Sequence, residues 1–220
     1  MPSNPARLQM PIGEAMFSQR SIRRFKPDPI PLEDLELIME AAVKAPSGGN
    51  IQPARFVILN DPEIIRQFGA LYHEQWWAKR RDENRPFARR EDIPPDETNL
   101  ISSARLADEI KDAPCIILVL TKPGTTGIPL SVLPSVQNLM LAARALGIGS
   151  VPATLHPGFL ERIYALLGIP SDMEFHVCIP MGYPRGNFGP TQRRPAAEVS
   201  HFNRWGTPVP WSRPAAGSSA

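Results

Sequence analysis

The chain has 220 residues with 42% hydrophobic and 21% charged residues, a composition that suits one globular domain with a single core. The net charge of +2 is too small to indicate a nucleic-acid partner, and two cysteines are too few for a disulfide framework. No apolar run approaches the roughly 20 residues that span a bilayer, and the first residues lack the apolar segment of a signal peptide. We therefore expect a cytoplasmic protein with no membrane partner.

Helical and strand-like patterns follow one another without a regular repeat. They predict helices at 32–45, 62–72, 98–111, 131–146 and 159–167, and strands at 55–60, 115–121 and 174–181. Residues 73–97 have the least regular pattern, and the last forty residues are too rich in proline and arginine to form their own core. Few strands joined by long connections favour an α+β domain over a βαβ repeat.

A basic segment near the start reads Gln-Arg-Ser-Ile-Arg-Arg-Phe at 19–25. Its guanidinium groups and hydroxyl are the donors that a phosphate or another anion needs. Ile22 and Phe25 are expected to anchor the segment to the core. From charge alone, a solvated face is an equally good interpretation.

A glycine-containing turn reads Ala-Pro-Ser-Gly-Gly-Asn-Ile-Gln-Pro at 45–53, directly after the first predicted helix. Glycine lets the backbone approach a ligand closely. Ser47, Asn50 and Gln52 supply polar groups for a heterocycle rich in donors and acceptors. The alternative is a helix-ending turn without a ligand, because the same residues favour turns for conformational reasons.

A third turn reads Pro-Ala-Thr-Leu-His-Pro-Gly at 152–158, between two predicted helices. Free backbone N–H groups at such a place can bind an electron-rich ligand atom. His156 has no Ser, Cys or Asp partner at the spacing of a triad, which favours a turn or capping role over a catalytic one. The four histidines are isolated from one another, so no metal site is predicted.

A second candidate anion site is the pair Arg193 and Arg194, which follows a predicted strand and a glycine-rich turn. Taken in chain order, these segments resemble the FMN-dependent nitroreductase family, over roughly residues 15–65 and 130–206. The matching residues are Arg20 to Phe25, Ala45 to Asn50, Gln52-Pro53, Gln137-Asn138-Leu139, Ala142-Ala143, Gly147, Gly182-Tyr183-Pro184, Arg193-Arg194-Pro195 and Glu198-Val199.

The resemblance implies a single domain over 1–220, with a mixed sheet flanked by helices, built as an intertwined homodimer with two FMN sites at its interface. It also implies a variable substrate lid at about 73–97 and a C-terminal arm at about 185–220 that extends over the partner.

The implied FMN contacts fall into four groups. They are Gln19, Arg20, Ser21 and Arg23 at the phosphate and ring; Pro46, Ser47, Gly48, Asn50 and Gln52, which reach a flavin bound chiefly by the other subunit; Ala153, Thr154, Leu155 and Gly158 beside the flavin N5; and Arg193 with Arg194 at the phosphate.

Two positions depart from the family pattern. Gln19 stands where an arginine is common, so phosphate binding is expected to depend more on Arg20, Arg23 and the C-terminal pair. Ala54 stands where a tryptophan is common, which leaves more room beside it.

The implied activity is a ping-pong transfer of electrons from NADH or NADPH, through FMN, to an electron-poor aromatic acceptor such as a nitroaromatic or a quinone. No catalytic side chain is predicted, because the flavin N5 carries the chemistry. Trp76, Trp77 and Phe87 are candidates to stack on the acceptor, with packing in the dimer as the alternative. Reductive dehalogenation, enone reduction and flavin cleavage are alternatives on the same fold. A non-catalytic anion- or nucleotide-binding protein is the alternative from another class.

Overall fold

Four β-strands lie at the centre of the computed structural model, which describes residues 4–85, 87–123 and 128–211. The strands are β1 (Ala54–Leu59), β2 (Cys115–Thr121), β3 (Gly149–Ser150) and β4 (Glu174–Gly182), and their order in the sheet is β1-β2-β4-β3. The neighbouring strands pair antiparallel, and an isolated parallel bridge joins Ser21 to Ser150.

Helices cover both faces of this sheet. They are α1 (Ile12–Ser18), α2 (Leu32–Val43), α3 (Pro62–Asp82), α4 (Thr98–Glu109), α5 (Ile128–Ala145) and α6 (Leu160–Leu167). Alternate side chains of β2 enter different cores, since side chains on a strand point to opposite faces. Ile116 and Leu118 pack with residues of α3, α4 and α6, whereas Ile117 and Val119 pack with residues of α2 and α5. The predicted α+β fold is confirmed.

Most predicted elements are confirmed close to their expected bounds. Strand β2 has the predicted bounds, and α2 ends before Pro46 as expected. Gly147 and Gly168 follow α5 and α6 with φ angles of 76° and 64°, which glycine adopts without the steric cost of a Cβ atom.

The predicted end of the second helix is wrong. Helix α3 continues beyond residue 72 to Asp82, so the first ten residues of the segment 73–97 are helical. Phe68, Tyr72 and Gln75 are all buried and continue one face at helical spacing. Because this face is buried, the helix continues into residues 73–82. The arginines and prolines of 73–97 had suggested an irregular segment there. The role of 73–97 as a substrate lid stays a prediction.

Two elements were not predicted. Helix α1 has only seven residues and buries only Ala15 among them, so it has no apolar stripe facing the core. Strand β3 has two residues, which is too short to produce an alternating pattern. Helix α5 begins at Ile128, three residues before the predicted start at 131.

The chain separates into two compact units, Met1–Pro190 and Thr191–Ala220. In its described part the second unit has one short 3-10 turn, Ala196–Glu198, and a bend in which the Phe202 amide donates to the Thr207 carbonyl at 2.9 Å. The extension of this segment over a partner chain stays a prediction. None of the helices in the described residues has the length and the apolar character that crossing a bilayer requires.

Candidate functional site

The basic segment at 19–25 is fixed to the edge of the sheet by its backbone. The Ile22 amide donates to the Ser150 carbonyl at 3.0 Å, and the Lys26 amide donates to the Tyr183 carbonyl at 2.7 Å. Ile22 and Phe25 are buried, which confirms that they anchor the segment to the core. Arg20 and Ser21 remain exposed, while Arg23 is half-buried. The half-buried Gln19 places its amide nitrogen 3.7 Å from the Met140 sulfur.

Arg23 lies at a cavity of about 220 Å³ between α3, α4 and the start of the turn at 152–158. The turn contributes Ala153 and Thr154, so the structure brings two of the predicted segments together at one place. The full set of lining residues is Arg23, Tyr72, Gln75, Trp76, Lys79, Arg80, Ser103, Leu106, Val151, Pro152, Ala153 and Thr154.

Positive charge dominates this cavity. Arg23, Lys79 and Arg80 line it, whereas its lining contains no Asp or Glu. Burial lowers the pKa of the Arg23 guanidinium, and the nearby charge of Arg20 lowers it further. Arginine still keeps its charge at neutral pH. Within the described part of Met1–Pro190, no carboxylate forms an ion pair with Arg23, so its charge is left for a ligand.

Two buried nitrogen atoms at the same cavity have no hydrogen-bond partner among the described residues. They are the Gln75 Nε2 and the Arg80 Nε. Arg80 uses another nitrogen to pair with Glu83 at 3.0 Å, and its guanidinium lies 5.0 Å from the Trp76 ring centroid. Buried donors are nearly always satisfied in native proteins. Unpartnered donors close to Arg23, which has no carboxylate partner in the described part of its unit, indicate a ligand rich in hydrogen-bond acceptors.

Most backbone N–H groups of the turn at 152–158 already donate hydrogen bonds within the chain. Fewer of them are therefore available to bind a ligand than the sequence suggested. The Ala153 amide donates to the Cys178 carbonyl at 2.7 Å, and the Gly158 amide donates to the His156 Nδ1 at 3.0 Å. Gly158 therefore has no free N–H for a ligand. Thr154 and Leu155 are the residues of the turn whose N–H groups have no partner within the described part of the first unit.

His156 behaves as a capping residue, in agreement with the interpretation that its sequence position favoured. Its ring accepts the Gly158 amide at the start of the 3-10 turn Pro157–Phe159. Its other ring nitrogen lies 2.8 Å from the Asp82 carboxylate. Both ring nitrogens are therefore engaged within the chain.

The turn at 46–52 lies at a different cavity, of about 290 Å³, which shares no lining residue with the first. Ser47, Gln52 and Ala54 line it, so Ala54 does border open space. The Ser47 hydroxyl accepts the Gln52 amide at 3.1 Å, and the Gln52 side chain donates to the Asn50 side chain at 3.1 Å. The Gln52 and Asn50 side chains thus bind each other, and the Ser47 hydroxyl binds the Gln52 backbone, as in a turn without a ligand.

The same turn also contains strained backbone. Asn50 and Gln52 have φ angles of 56° and 48°, in the left-handed region that residues with a Cβ atom rarely adopt. Such strain concentrates at ligand-binding segments. Within one chain the turn does not meet Arg23 at a common cavity.

Arg193 and Arg194 belong to the second unit and are exposed. Arg193 donates from Nη1 to the Gln192 carbonyl at 2.7 Å. Their assignment to a phosphate stays a prediction.

The sequence model of the nitroreductase family matches residues 17–183, more than half of the chain. The chain belongs to the nitroreductase family. Among curated proteins, the iodotyrosine deiodinase of Thermotoga neapolitana is 33% identical over 169 residues, which cover 76% of this chain and 84% of that protein. The NADH dehydrogenase of Thermus thermophilus is 30% identical over 211 residues, covering 84% of this chain and 92% of that protein.

A solved structure of the same family shows the same fold. The crystal structure of oxidized iodotyrosine deiodinase bound to FMN and 3-iodo-L-tyrosine has a TM-score of 0.68 and 26% sequence identity. The match covers 90% of this chain and all of that chain.

Several residues that line the cavity of this nitroreductase-family protein are not predicted as site residues from the sequence. Gln75, Lys79 and Arg80 lie on the part of α3 that was expected to be irregular, and Ser103 lies on α4. Gln75 and Lys79 are four residues apart, which places both on one helix face. That spacing was a signal available in the sequence, because it continues the apolar face through Tyr72.

The aromatic residues of the same region have separate roles in this nitroreductase-family chain. Trp76 lines the cavity, whereas Trp77 packs in the core and donates its indole N–H to His73 at 3.1 Å. Phe87 packs against the same core. Trp76 and Trp77 are both buried within the chain, and a stacking role for the aromatic residues of this region stays a prediction.

Proposed function

We propose that this nitroreductase-family protein is an FMN-dependent oxidoreductase that passes electrons from NADH or NADPH to an electron-poor aromatic acceptor. The observation that carries the proposal is the half-buried Arg23, which has no carboxylate partner in the described part of its unit and lines a cavity without acidic residues. A ligand with negative charge and several hydrogen-bond acceptor atoms would pair with Arg23 and the other donors of this cavity. The deiodinase structure bound to FMN supports the choice of FMN.

The residues present fit this cofactor. The pyrimidine part of a flavin presents carbonyl oxygens and ring nitrogens, and its phosphate presents anionic oxygens. Gln75 Nε2 and Arg80 Nε are buried donors without partners among the described residues, and Lys79 adds a cation beside them. The donors and cations of this cavity, with the N–H groups of Thr154 and Leu155, would surround the ring, and Arg20 would bind the phosphate. A phosphate role for Arg193 and Arg194 is a separate prediction.

FMN, when bound, accepts a hydride from the nicotinamide and returns electrons to a second substrate, which gives a ping-pong reaction. The chain's own residues bind, orient and supply positive charge. A thiol nucleophile is not needed and is disfavoured, because burial raises the pKa of the Cys115 thiol to about 12 and also raises that of the buried Cys178. Neither thiol lines the cavity.

We further propose that the protein is a homodimer. Helix α1 lies against α5, and both expose large apolar side chains. Phe17 is 77% exposed and Leu130 is 82% exposed in the single chain. An apolar surface of this kind marks a protein interface. A second chain would also bring the turn at 46–52 to the cavity of Arg23, which one chain alone does not do.

The experiment that tests the function is a visible absorption spectrum of the purified protein, followed by denaturation and identification of the released chromophore. We expect a yellow protein that releases FMN and consumes NADH or NADPH faster when nitroaromatics or quinones are added. A colourless protein that FMN cannot reconstitute would support the non-catalytic anion-binding alternative instead.

Reductive dehalogenation is the second candidate, because a curated relative with 33% identity is an iodotyrosine deiodinase. A panel of halophenols, nitroaromatics, quinones and enones, each offered to the reduced protein, separates the candidates. Halide release at a rate above that of nitroaromatic reduction would favour the dehalogenase.

A further inference from the structure

Gln75 is the most buried polar side chain at the cavity, with 1% of its surface exposed. Its Oε1 accepts the backbone N–H of His156 at 2.8 Å. A side-chain amide accepts hydrogen bonds only through its oxygen, so this bond assigns the positions of Oε1 and Nε2. The remaining group, Nε2, is a buried donor without a partner among the described residues.

The turn that fixes Gln75 is itself held in place. Lys79, one helical turn further along α3, donates to the Thr154 hydroxyl at 3.2 Å. Ala153 exchanges two backbone hydrogen bonds with Cys178 of β4, at 2.7 and 2.8 Å. A rotation of the Gln75 amide would break its bond to a turn that is anchored on both sides. Nε2 is therefore a preorganised donor.

The surroundings of Nε2 select the kind of atom that it binds. The cavity lining adds the cations Arg23, Lys79 and Arg80 and contains no carboxylate. The Ser103 hydroxyl, which also lines the cavity, already donates to the Asn99 carbonyl at 2.9 Å. The best partner for Nε2 and the neighbouring cations is therefore an oxygen or nitrogen atom that accepts a hydrogen bond and gains negative charge.

We infer that Gln75 contacts the flavin directly: Oε1 holds the turn at 152–158, and Nε2 donates to an acceptor atom of the flavin ring. This inference rests on the proposed function. Electron density on the ring acceptors rises when a flavin is reduced, so a fixed donor stabilises the reduced form more than the oxidised form. Gln75 thus raises the reduction potential while it couples the cofactor to the turn.

Gln75→Glu separates the two roles of the side chain. A carboxylate keeps an oxygen for the His156 N–H, but it replaces the Nε2 donor with an acceptor. The matched control is Glu74→Gln, on the adjacent position of α3, where Glu74 forms an exposed ion pair with Arg162 at 2.9 Å. The measurements are the Kd of the apoprotein for FMN by fluorescence quenching and the two-electron midpoint potential of the holoprotein.

We expect Gln75→Glu to raise the Kd for FMN at least about tenfold, as the loss of a buried hydrogen bond would. Reduced FMN should lose about tenfold more affinity than oxidised FMN, which lowers the midpoint potential by about 30 mV. Glu74→Gln should change neither quantity.

Gln75→Met provides the test if the Glu variant does not fold, because it removes the donor without adding charge. Wild-type Kd and potential in whichever variant folds would overturn the inference. A changed Kd and potential in the Met variant, together with wild-type values in the Glu variant, would also overturn it. Gln75 would then act only through its bond to the turn, which the Glu variant keeps. Failure of the wild-type protein to bind FMN would instead overturn the proposed function and, with it, this inference.

Discussion

The His156 imidazole lies 2.8 Å from the Asp82 carboxylate and links the end of α3 to the turn before α6. The Gly158 amide donates to Nδ1, so that nitrogen is unprotonated and Nε2 carries the hydrogen that faces Asp82. A histidine with both nitrogens engaged in this way shapes the turn rather than exchanging protons with a substrate.

Replacement of His156 tests this structural role. We expect His156→Ala to lower the free energy of unfolding by about 1 kcal/mol through loss of the cap, and His156→Asn to recover part of that loss, because asparagine is a good capping residue. The rate of flavin reduction by NAD(P)H should stay within several-fold of wild type in both. Urea unfolding and stopped-flow absorbance measure the two quantities. A loss of flavin reduction by orders of magnitude in both variants, with unchanged stability, would assign His156 a catalytic role.

Arg23 and Arg24 form a matched pair of neighbouring arginines with different surroundings. Arg23 lines the cavity without a carboxylate partner in the described part of its unit, whereas Arg24 pairs with Glu109 at 3.1 Å on the surface. We expect Arg23→Ala to raise the Kd for FMN about tenfold or more, because bonds from charged donors are stronger than neutral ones. Arg24→Ala should leave the Kd within about twofold, since exposed ion pairs contribute little. Equal effects of the two substitutions, measured by fluorescence titration, would contradict the site.

The order of elements could be predicted from the sequence because most of them have a strong local pattern. Strand β2 is an unbroken apolar run, and α5 and α6 end at glycines that adopt a left-handed conformation. Strand β3 could not be predicted, because its two residues are extended only through contacts with β4 and Ile22.

The candidate site was predictable only in part. Arg23, Ala153 and Thr154 could be named because the segments around them carry motif residues. The spacing of Gln75 and Lys79 after Tyr72 could have extended α3 to these residues and Arg80, but it does not identify them as part of a site. Their role depends on the turn at 152–158 packing against α3, a tertiary contact that no local spacing specifies.

Arg193 and Arg194 provide a test of where the phosphate binds. We expect the double substitution to alanine to weaken FMN binding at least about tenfold while leaving the weaker binding of riboflavin unchanged, because riboflavin has no phosphate. Arg204→Ala, an exposed arginine in the same unit, is the control and should affect neither ligand. Titrations of the apoprotein with both flavins measure the difference. An equal loss for FMN and riboflavin would show that the pair does not act on the phosphate.

The exposed apolar face of α1 and α5 provides a test of the dimer. We expect Phe17→Glu with Leu133→Glu to convert a dimer into a monomer of 24.3 kDa and to reduce FMN retention, because a buried charge at an interface is costly. Ala70→Glu, at an exposed position of α3, should leave the dimer intact. Light scattering after size-exclusion chromatography gives the mass. A wild-type protein that is already monomeric and holds FMN would contradict the proposed assembly.

His176 predicts how stability depends on pH. Burial lowers the pKa of its imidazole, although the charge of Glu174 opposes the shift, and its Nε2 lies 2.8 Å from the Thr121 hydroxyl. As pH falls through about 6.5, the unfolded chain takes up a proton that the native imidazole resists, so stability is lost. We expect the free energy of unfolding to fall more between pH 7.5 and pH 5.5 in wild type than in His176→Gln, as measured by urea titration. The carboxylates and the other histidines are common to both proteins, so their contributions to the pH dependence cancel when the two are compared. Parallel pH dependences would show that the folded structure leaves the pKa of His176 unchanged.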